Sequence, residues 1–317
     1  MFYLITGGAG FIGSHLIERL LSENHNIICL DNFNDYYDPG IKWKNIEKVS
    51  QSSNFKLIEG DILDDALLEN IFQNNHFDGI VHLAARAGVR PSVLQPKLYQ
   101  KVNIRGTLNL LEKANQYHIS KFIMASSSSV YGNNKKVPFS ESDPVDNPIS
   151  PYAATKKACE LIGYTYSTLY NISVSCLRFF TVYGPRQRPD MAIHKFTKLI
   201  SMDQEIPIYG DGSAKRDFTF ITDIINGVIS SIERCDGYNI YNLGESRVVP
   251  LMELIGLIEK NIGKKAKINW QPPQPGDVAI TYADISKAKK DLDYQPQVNI
   301  EEGVKAFVKW FKESHNI

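Results

Sequence analysis

The chain has 317 residues, is 43% hydrophobic and 22% charged, and sets 35 basic against 35 acidic side chains for a formal net charge of zero. The length points to about two domains or lobes, and the composition is that of an ordinary globular enzyme. The charge balance argues against a nucleic-acid or membrane surface built on bulk charge.

A strand at 2–6 opens the chain and runs into the glycine loop Thr6-Gly7-Gly8-Ala9-Gly10-Phe11-Ile12-Gly13, which leads into a helix over 11–22. Further strands are predicted at 27–30, 55–58, 79–83, 122–125 and 173–179, with helices at 64–74, 96–117 and 151–170 between them. Near-continuous apolar strands alternating with helices predict an α/β fold, a doubly wound parallel sheet covered on both faces, with ligands at the carboxyl ends of its strands. The segment 33–49 reads as a surface loop or lid, expected here as a solvated excursion. After residue 179 the alternation weakens. Helices at 191–201, 251–262 and 300–313 predict a smaller substrate lobe, and a helix at 223–234 with a strand at 238–243 returns to the main sheet. The expected division is therefore 1–178, joined by 216–243, for the dinucleotide domain, and 179–215 with 244–317 for the second lobe.

The start has no basic region with a cleavage site, and no apolar run reaches 18 residues, so a cytoplasmic protein without a membrane partner is expected. Cys29, Cys159, Cys176 and Cys235 show no CxxC or zinc spacing and read as buried free thiols. The seven histidines form no metal-binding motif, so no metal is expected.

Gly7, Gly10 and Gly13 follow a strand and open a helix. Gly7 permits a tight turn, Gly10 lets backbone approach a pyrophosphate, and Gly13 allows close helix–strand packing. The helix N-terminus, with Phe11 and Ile12, favours negative charge. Asp31 ends the next strand 18 residues after Gly13, with Asn32 beside it. A carboxylate there bonds the adenosine ribose and repels a 2′-phosphate, which favours NAD over NADP.

YxxxK occurs three times, at Tyr117–Lys121, Tyr131–Lys135 and Tyr152–Lys156. Only the last lies within a predicted helix, where positions i and i+4 share a face. A cation there favours phenolate over phenol, which makes Tyr152 a general base toward a hydroxyl and an acid on return. Ser127, at the end of a strand, is placed to share the same substrate oxygen.

These motifs resemble the extended short-chain dehydrogenase/reductases that modify nucleotide sugars. The resemblance runs through His82-Leu83-Ala84-Ala85, Ala125 to Gly132, Pro151 to Lys156, Arg178 to Pro185, Gly210-Asp211-Gly212 and Arg216-Asp217-Phe218. It implies a catalytic trio of Ser127, Tyr152 and Lys156, a tightly held NAD, and cofactor contacts from Asp61, Ile62, Leu83, Ala84, Ala85 and Asn103. It further implies a homodimer packed through the helices 96–117 and 151–170. Related 4,6-dehydratases carry Asp-Glu directly after the catalytic serine or threonine, where this chain has Ser128 and Ser129; simple epimerisation is the expected reaction.

The run from Arg178 to Ala192 is similar to that of UDP-glucuronate 4-epimerases. That similarity implies that Arg188 contacts a sugar carboxylate, that Ser127, Ser128 and Thr181 supply hydrogen bonds, and that Arg90 lines the same pocket. Arg216 is expected on the diphosphate and Asp277 near the uridine ribose. A diphosphate role for Arg188 stays open, as does a solvent-exposed one. Because Arg86 and Pro91 depart from the pattern, so do UDP-N-acetylhexosamine 4-epimerisation and C5 chemistry on a deoxy-hexosamine. A non-catalytic NAD-binding regulator would have no need of the full trio.

Overall fold

The computed structural model describes residues 1–273 and 278–315. The first six strands, β1 (Phe2–Thr6), β2 (Asn26–Asp31), β3 (Phe55–Glu59), β4 (Gly79–His82), β5 (Lys121–Ser127) and β6 (Ser173–Phe179), form a parallel sheet with a later strand, β10 (Tyr238–Leu243). The order is β10-β6-β5-β4-β1-β2-β3. Its sequence logic is visible strand by strand. Tyr3, Ile5, Ile27 and Cys29 feed one buried cluster, while the alternate residues Leu4, Ile28 and Leu30 feed the cluster on the opposite face. A strand buried on both faces needs no polar alternation, which is why these segments read as continuous apolar runs.

Helix α1 (Phe11–Ser22) buries Phe11, Leu16, Ile17 and Leu20 on the first face. Helices α3 (Asp65–Gln73), α6 (Gly106–Gln116) and α7 (Pro151–Tyr170) cover the second. The predicted helix over 96–117 is in fact three pieces: α5 (Pro96–Tyr99), a π-helical turn at Gln100–Arg105, and α6. The wide turn carries Asn103, whose side chain bonds across to other elements instead of following the regular helical surface.

The segment expected as a solvated excursion is structured. Asp38 caps helix α2 (Pro39–Glu47) by accepting the Gly40 N–H at 2.9 Å, and Pro39 occupies its first turn. Lys42, Asn45 and Ile46 are buried. Asn45 donates to the Ala9 carbonyl at 3.0 Å, fastening this insert to the glycine loop.

The second lobe is built from two small sheets. Strand β7 (Thr181–Tyr183) pairs with β9 (Lys215–Phe220), which pairs antiparallel with β11 (Val248–Pro250); β8 (Glu205–Tyr209) pairs with β12 (Lys267–Gln271). Of residues 216–243, helix α9 (Ile221–Glu233) leads β10 back beside β6, whereas β9 stays in the small sheet. Helices α8 (Ala192–Ser201), α10 (Leu251–Ile262) and α12 (Ile300–His315) close the lobe. Along α12 Ile300, Val304, Phe307, Val308 and Phe311 are buried at helical spacing, each large side chain contributing about 1.5–3 kcal/mol. No helix among the described residues is long and apolar enough to cross a membrane.

Candidate active site

A cavity of about 540 Å³ lies over the carboxyl ends of β1, β2, β4 and β5 and is walled on the far side by residues 179–191. Gly7 sits at φ 70°, and a Cβ there would fall 2.6 Å from the Ala84 nitrogen. A Cβ on Gly13 would fall 2.5 Å from the Gly7 carbonyl. Both glycines are demanded by backbone packed against backbone. No side chain caps the N-terminus of α1 and no acidic residue sits in its first turn, so its leading N–H groups are left for an anion. Gly7, Gly10, Phe11, Ile12 and Gly13 all line the cavity, as a diphosphate cradle requires.

Asp31 accepts from the Ala9 and Phe33 amides at 3.2 and 2.9 Å, with Lys42 Nζ 4.0 Å away. Burial raises its carboxyl above the ordinary range while Lys42 and the two amides pull it back. Asp31, Asn32, Asp61 and Ile62 line one end of the cavity, and Leu83, Ala84 and Ala85 its floor. These residues fit a dinucleotide whose ribose meets a carboxylate. Asn103 does not line the cavity. Its amide oxygen accepts from Arg86 N at 2.8 Å, and its amide nitrogen donates to the Arg86 carbonyl at 3.1 Å and to Thr155 at 3.0 Å. It therefore holds the 85–88 turn against α7. Behind it His82 bridges Thr6 (2.7 Å) and Thr107 (3.0 Å); burial, then the Lys156 charge, push its imidazole down to about 3, so it is a neutral structural residue.

The trio is brought together by β5 and α7. Ser150 caps α7 by accepting the Ala153 N–H at 3.1 Å, and Pro151 opens the helix, which puts Tyr152 in the first turn and Lys156 one turn on. Lys156 is buried, donates to the Ala125 carbonyl at 2.7 Å, and lies 6.0 Å from the centre of the Tyr152 ring. Ser127 ends β5 and accepts the Ser129 N–H at 3.1 Å, which starts a short turn that turns Ser128 and Ser129 toward the cavity. Ser127, Tyr152 and Lys156 all line it, beside Thr181 and Arg188.

Arg188 is held by Asp190 through Nε (2.9 Å) and Nη2 (2.8 Å), with the Tyr36 ring 5.3 Å from its guanidinium carbon. Burial opposes its charge, but the Asp190 contacts outweigh that and raise its pKa. Arg216 lines an adjoining cavity of about 200 Å³ that shares Ser128, Ser129 and Thr181 with the large one. Arg90 reaches neither: it lies exposed on helix α4 (Val89–Leu94), its guanidinium 4.4 Å from the Tyr209 ring centre. Asp277 lies outside the described residues.

The sequence places residues 34–42 in a surface excursion away from any site, yet Asn34, Tyr36, Tyr37 and Lys42 line the cavity, as do Arg86 and Lys101. The available signal was Asp38-Pro39-Gly40, a helix start, beside a pair of tyrosines. Among the described residues no cluster of His, Cys, Asp and Glu is arranged to hold a metal ion.

Comparison with known proteins identifies the family. The family model described as GDP-mannose 4,6 dehydratase matches residues 4–307. A UDP-glucuronate 4-epimerase of Thermodesulfobacterium geofontis is 46% identical over 314 residues, spanning 99% of this chain and 97% of its own. The crystal structure of UDP-glucuronic acid 4-epimerase from Bacillus cereus, in complex with UDP-glucuronic acid and NAD, superposes with a TM-score of 0.93 at 37% identity, covering 99% and 100% of the two chains. A UDP-N-acetylglucosamine 4-epimerase from Methanobrevibacter ruminantium M1, in complex with UDP-N-acetylmuramic acid, gives a TM-score of 0.90 at 32% identity, covering 98% of each.

Proposed function

This chain belongs to the GDP-mannose 4,6 dehydratase family of extended short-chain dehydrogenase/reductases, and from that premise we propose that it is an NAD-dependent UDP-sugar 4-epimerase that interconverts UDP-glucuronate and UDP-galacturonate. The observation that carries this reading is the distribution of charge in the cavity. The carboxylates among its lining residues are Asp31 and Asp61, both at the cofactor end; beside Ser127 there are hydroxyls and the cation Arg188. Dehydration needs an acid there to expel a C6 hydroxyl, and among the described residues the lining offers none. A uronate needs a cation there, and Arg188 is one.

When bound, NAD supplies a hydride acceptor that gives the same hydride back, so the reaction is redox-neutral. The chain's residues do the rest. Tyr152 removes the C4 hydroxyl proton and returns it to the inverted alcohol, while Ser127 hydrogen-bonds the same oxygen. Lys156, fixed on Ala125, keeps positive charge beside the phenol. The 4-keto sugar turns within the cavity before reduction. That ketone is a β-keto acid, which loses CO₂ if the C5–C6 bond aligns with the carbonyl π system. Arg188, Ser128 and Thr181 hold the carboxylate away from that alignment. The second lobe, 179–220 with 244–317, carries the nucleotide sugar, with Arg216 on the diphosphate.

Four buried free cysteines suit a reducing cytoplasm. Leu161, Tyr164 and Leu169 stand 55%, 53% and 70% exposed along α7, with Leu108 on α6, a stripe that suits a homodimer. A neutral or N-acetylated UDP-hexose is the second reading, favoured by the prior pairing of Arg188 with Asp190. Proton NMR of the protein with UDP-glucuronate, UDP-N-acetylglucosamine and UDP-glucose in parallel separates the two. Preferred turnover of the uronate is expected; turnover of only the uncharged sugars overturns the carboxylate pocket.

A further inference from the structure

We infer that Asp190, together with Tyr36, is a positioning residue that presents Arg188 to the sugar carboxylate in one orientation and thereby sets how much 4-keto intermediate is epimerised and how much is decarboxylated. The inference rests on the uronate reading above and goes beyond it by assigning the control of product outcome to two residues outside the catalytic trio.

A guanidinium has five N–H donors in a rigid plane. Asp190 takes Nε and one proton of Nη2 in a parallel pair at 2.9 and 2.8 Å. The remaining Nη2 proton and both Nη1 protons form the outer edge, which is the edge left for a ligand. Tyr36 controls the other degree of freedom. Its ring lies 5.3 Å from the guanidinium carbon, and its hydroxyl is 3.4 Å from Asp190 Oδ2, so it restrains rotation of the pair out of plane. The placement of Tyr36 is itself built in. Gly88 sits at φ 95°, and a Cβ on it would fall 2.6 Å from the Tyr36 hydroxyl. The insert is anchored from below by Lys42 on the Asn34 carbonyl and Asn45 on Ala9, both at 3.0 Å.

Charge alone gives Asp190 no reason to be there. It is an anion beside the cation that is to bind an anion. What the pair secures is geometry: a bidentate fork has one orientation. In the decarboxylating branch the C5–C6 bond breaks, CO₂ leaves, and the electron pair enters an enolate on the C4 oxygen. C5 then takes a proton, giving UDP-4-keto-pentose with the cofactor left reduced, or UDP-pentose once the hydride returns to C4. A carboxylate held by a fixed edge keeps that bond off the π axis; a swinging guanidinium does not.

The test is product partition by NMR with UDP-[6-¹³C]glucuronate, comparing the wild type with Asp190→Asn, Asp190→Ala and Arg188→Ala. The ratio of decarboxylated to epimerised product should rise about tenfold in Asp190→Ala, the worth of one charge-assisted hydrogen bond, and less in Asp190→Asn, whose amide oxygen still accepts from Nε. A purely structural role would lower both products together, and an unchanged ratio in folded, NAD-loaded Asp190 variants overturns the inference. Arg188→Ala keeps the two readings apart. If it leaves uronate kinetics and ratio unchanged, the carboxylate pocket itself is wrong; if it raises the ratio and the Asp190 variants do not, only the positioning role fails. Should Asp190→Ala not fold, Tyr36→Leu must raise the ratio in the same direction, and a wild-type ratio there counts against the proposal.

Discussion

Lys156 donates a 2.7 Å hydrogen bond to the carbonyl of Ala125, two residues before Ser127. Together with the bond from Ser126 to Glu160, it ties α7 to the end of β5 and so sets the tyrosine on one element against the serine on another. It also spends one ammonium proton on protein, which orients the other two toward the cavity that Lys156 lines.

Tyr152→Phe should therefore abolish proton transfer without disturbing the frame. We expect kcat to fall by about 10²–10⁴, with NAD content and KM close to wild type. Lys156→Met should cost as much and also loosen β5 from α7, lowering the melting temperature. Steady-state kinetics with thermal melts check both; a Tyr152→Phe enzyme within tenfold of wild type would remove Tyr152 from its role.

Gly13→Ala should lose the cofactor. Its Cβ would stand 2.5 Å from the Gly7 carbonyl and 2.6 Å from Gly8 Cα, and backbone on both sides has nowhere to go. The expected outcome is destabilisation of about 1–3 kcal/mol and a sharp drop in bound NAD, measured by releasing and quantifying nucleotide from purified protein. Gly256→Ala is the control, since a Cβ there meets nothing within 4 Å.

Arg178 and Glu160 form a buried pair, each 1% exposed, with bonds of 2.8 Å from Nε and Nη2. Ser126 also donates to Glu160 at 2.6 Å, and Arg178 donates to Tyr131 at 2.9 Å. Arg178→Leu strands the carboxylate and should cost about 3–5 kcal/mol in urea denaturation. Combining it with Glu160→Leu should restore part of that loss, because the desolvated charge goes too. Additive losses in the double variant would contradict this account.

The second lobe carries a pH dependence of its own. Burial pushes the Asp217 carboxyl up to about 6 although the Ala283, Glu245 and Ser246 amides bond it. Burial, then the charges of Asp223 and Asp217, push Glu245 up to about 7, and its Oε2 has no hydrogen-bond partner among the described residues. Both bind protons more tightly folded than unfolded, so their contribution to stability is complete at acidic pH and is lost as pH rises through about 6 and about 7. Glu245→Gln should raise the melting temperature at pH 8 by about 2–4 °C and change it little at pH 5. An equal shift at both values would show that Glu245 does not titrate in this range.

The strands of the large sheet were legible because both faces are buried, and the glycine loop because its conformational demands leave no other residue. Helix α7 was legible from the strand–helix alternation and the i,i+4 pair. Helix α2 was not, since two of its three buried residues, Lys42 and Asn45, are polar and give no hydrophobic periodicity. The short strands β8, β11 and β12 stayed hidden because three to five residues with exposed members such as Trp270 carry no period. Arg90 read as a pocket residue from the family resemblance, whereas its guanidinium lies over the Tyr209 ring. No local pattern foretells that Tyr36 and Asp190, 154 positions apart, meet over Arg188.

The most direct measurement is proton NMR of the purified protein with UDP-glucuronate deuterated at C4. Oxidation and return of one hydride inside one cavity predicts UDP-galacturonate with the deuterium still on C4 and none in solvent. Absence of UDP-galacturonate, or product carrying a solvent proton at C4, would contradict a recycled-hydride epimerase.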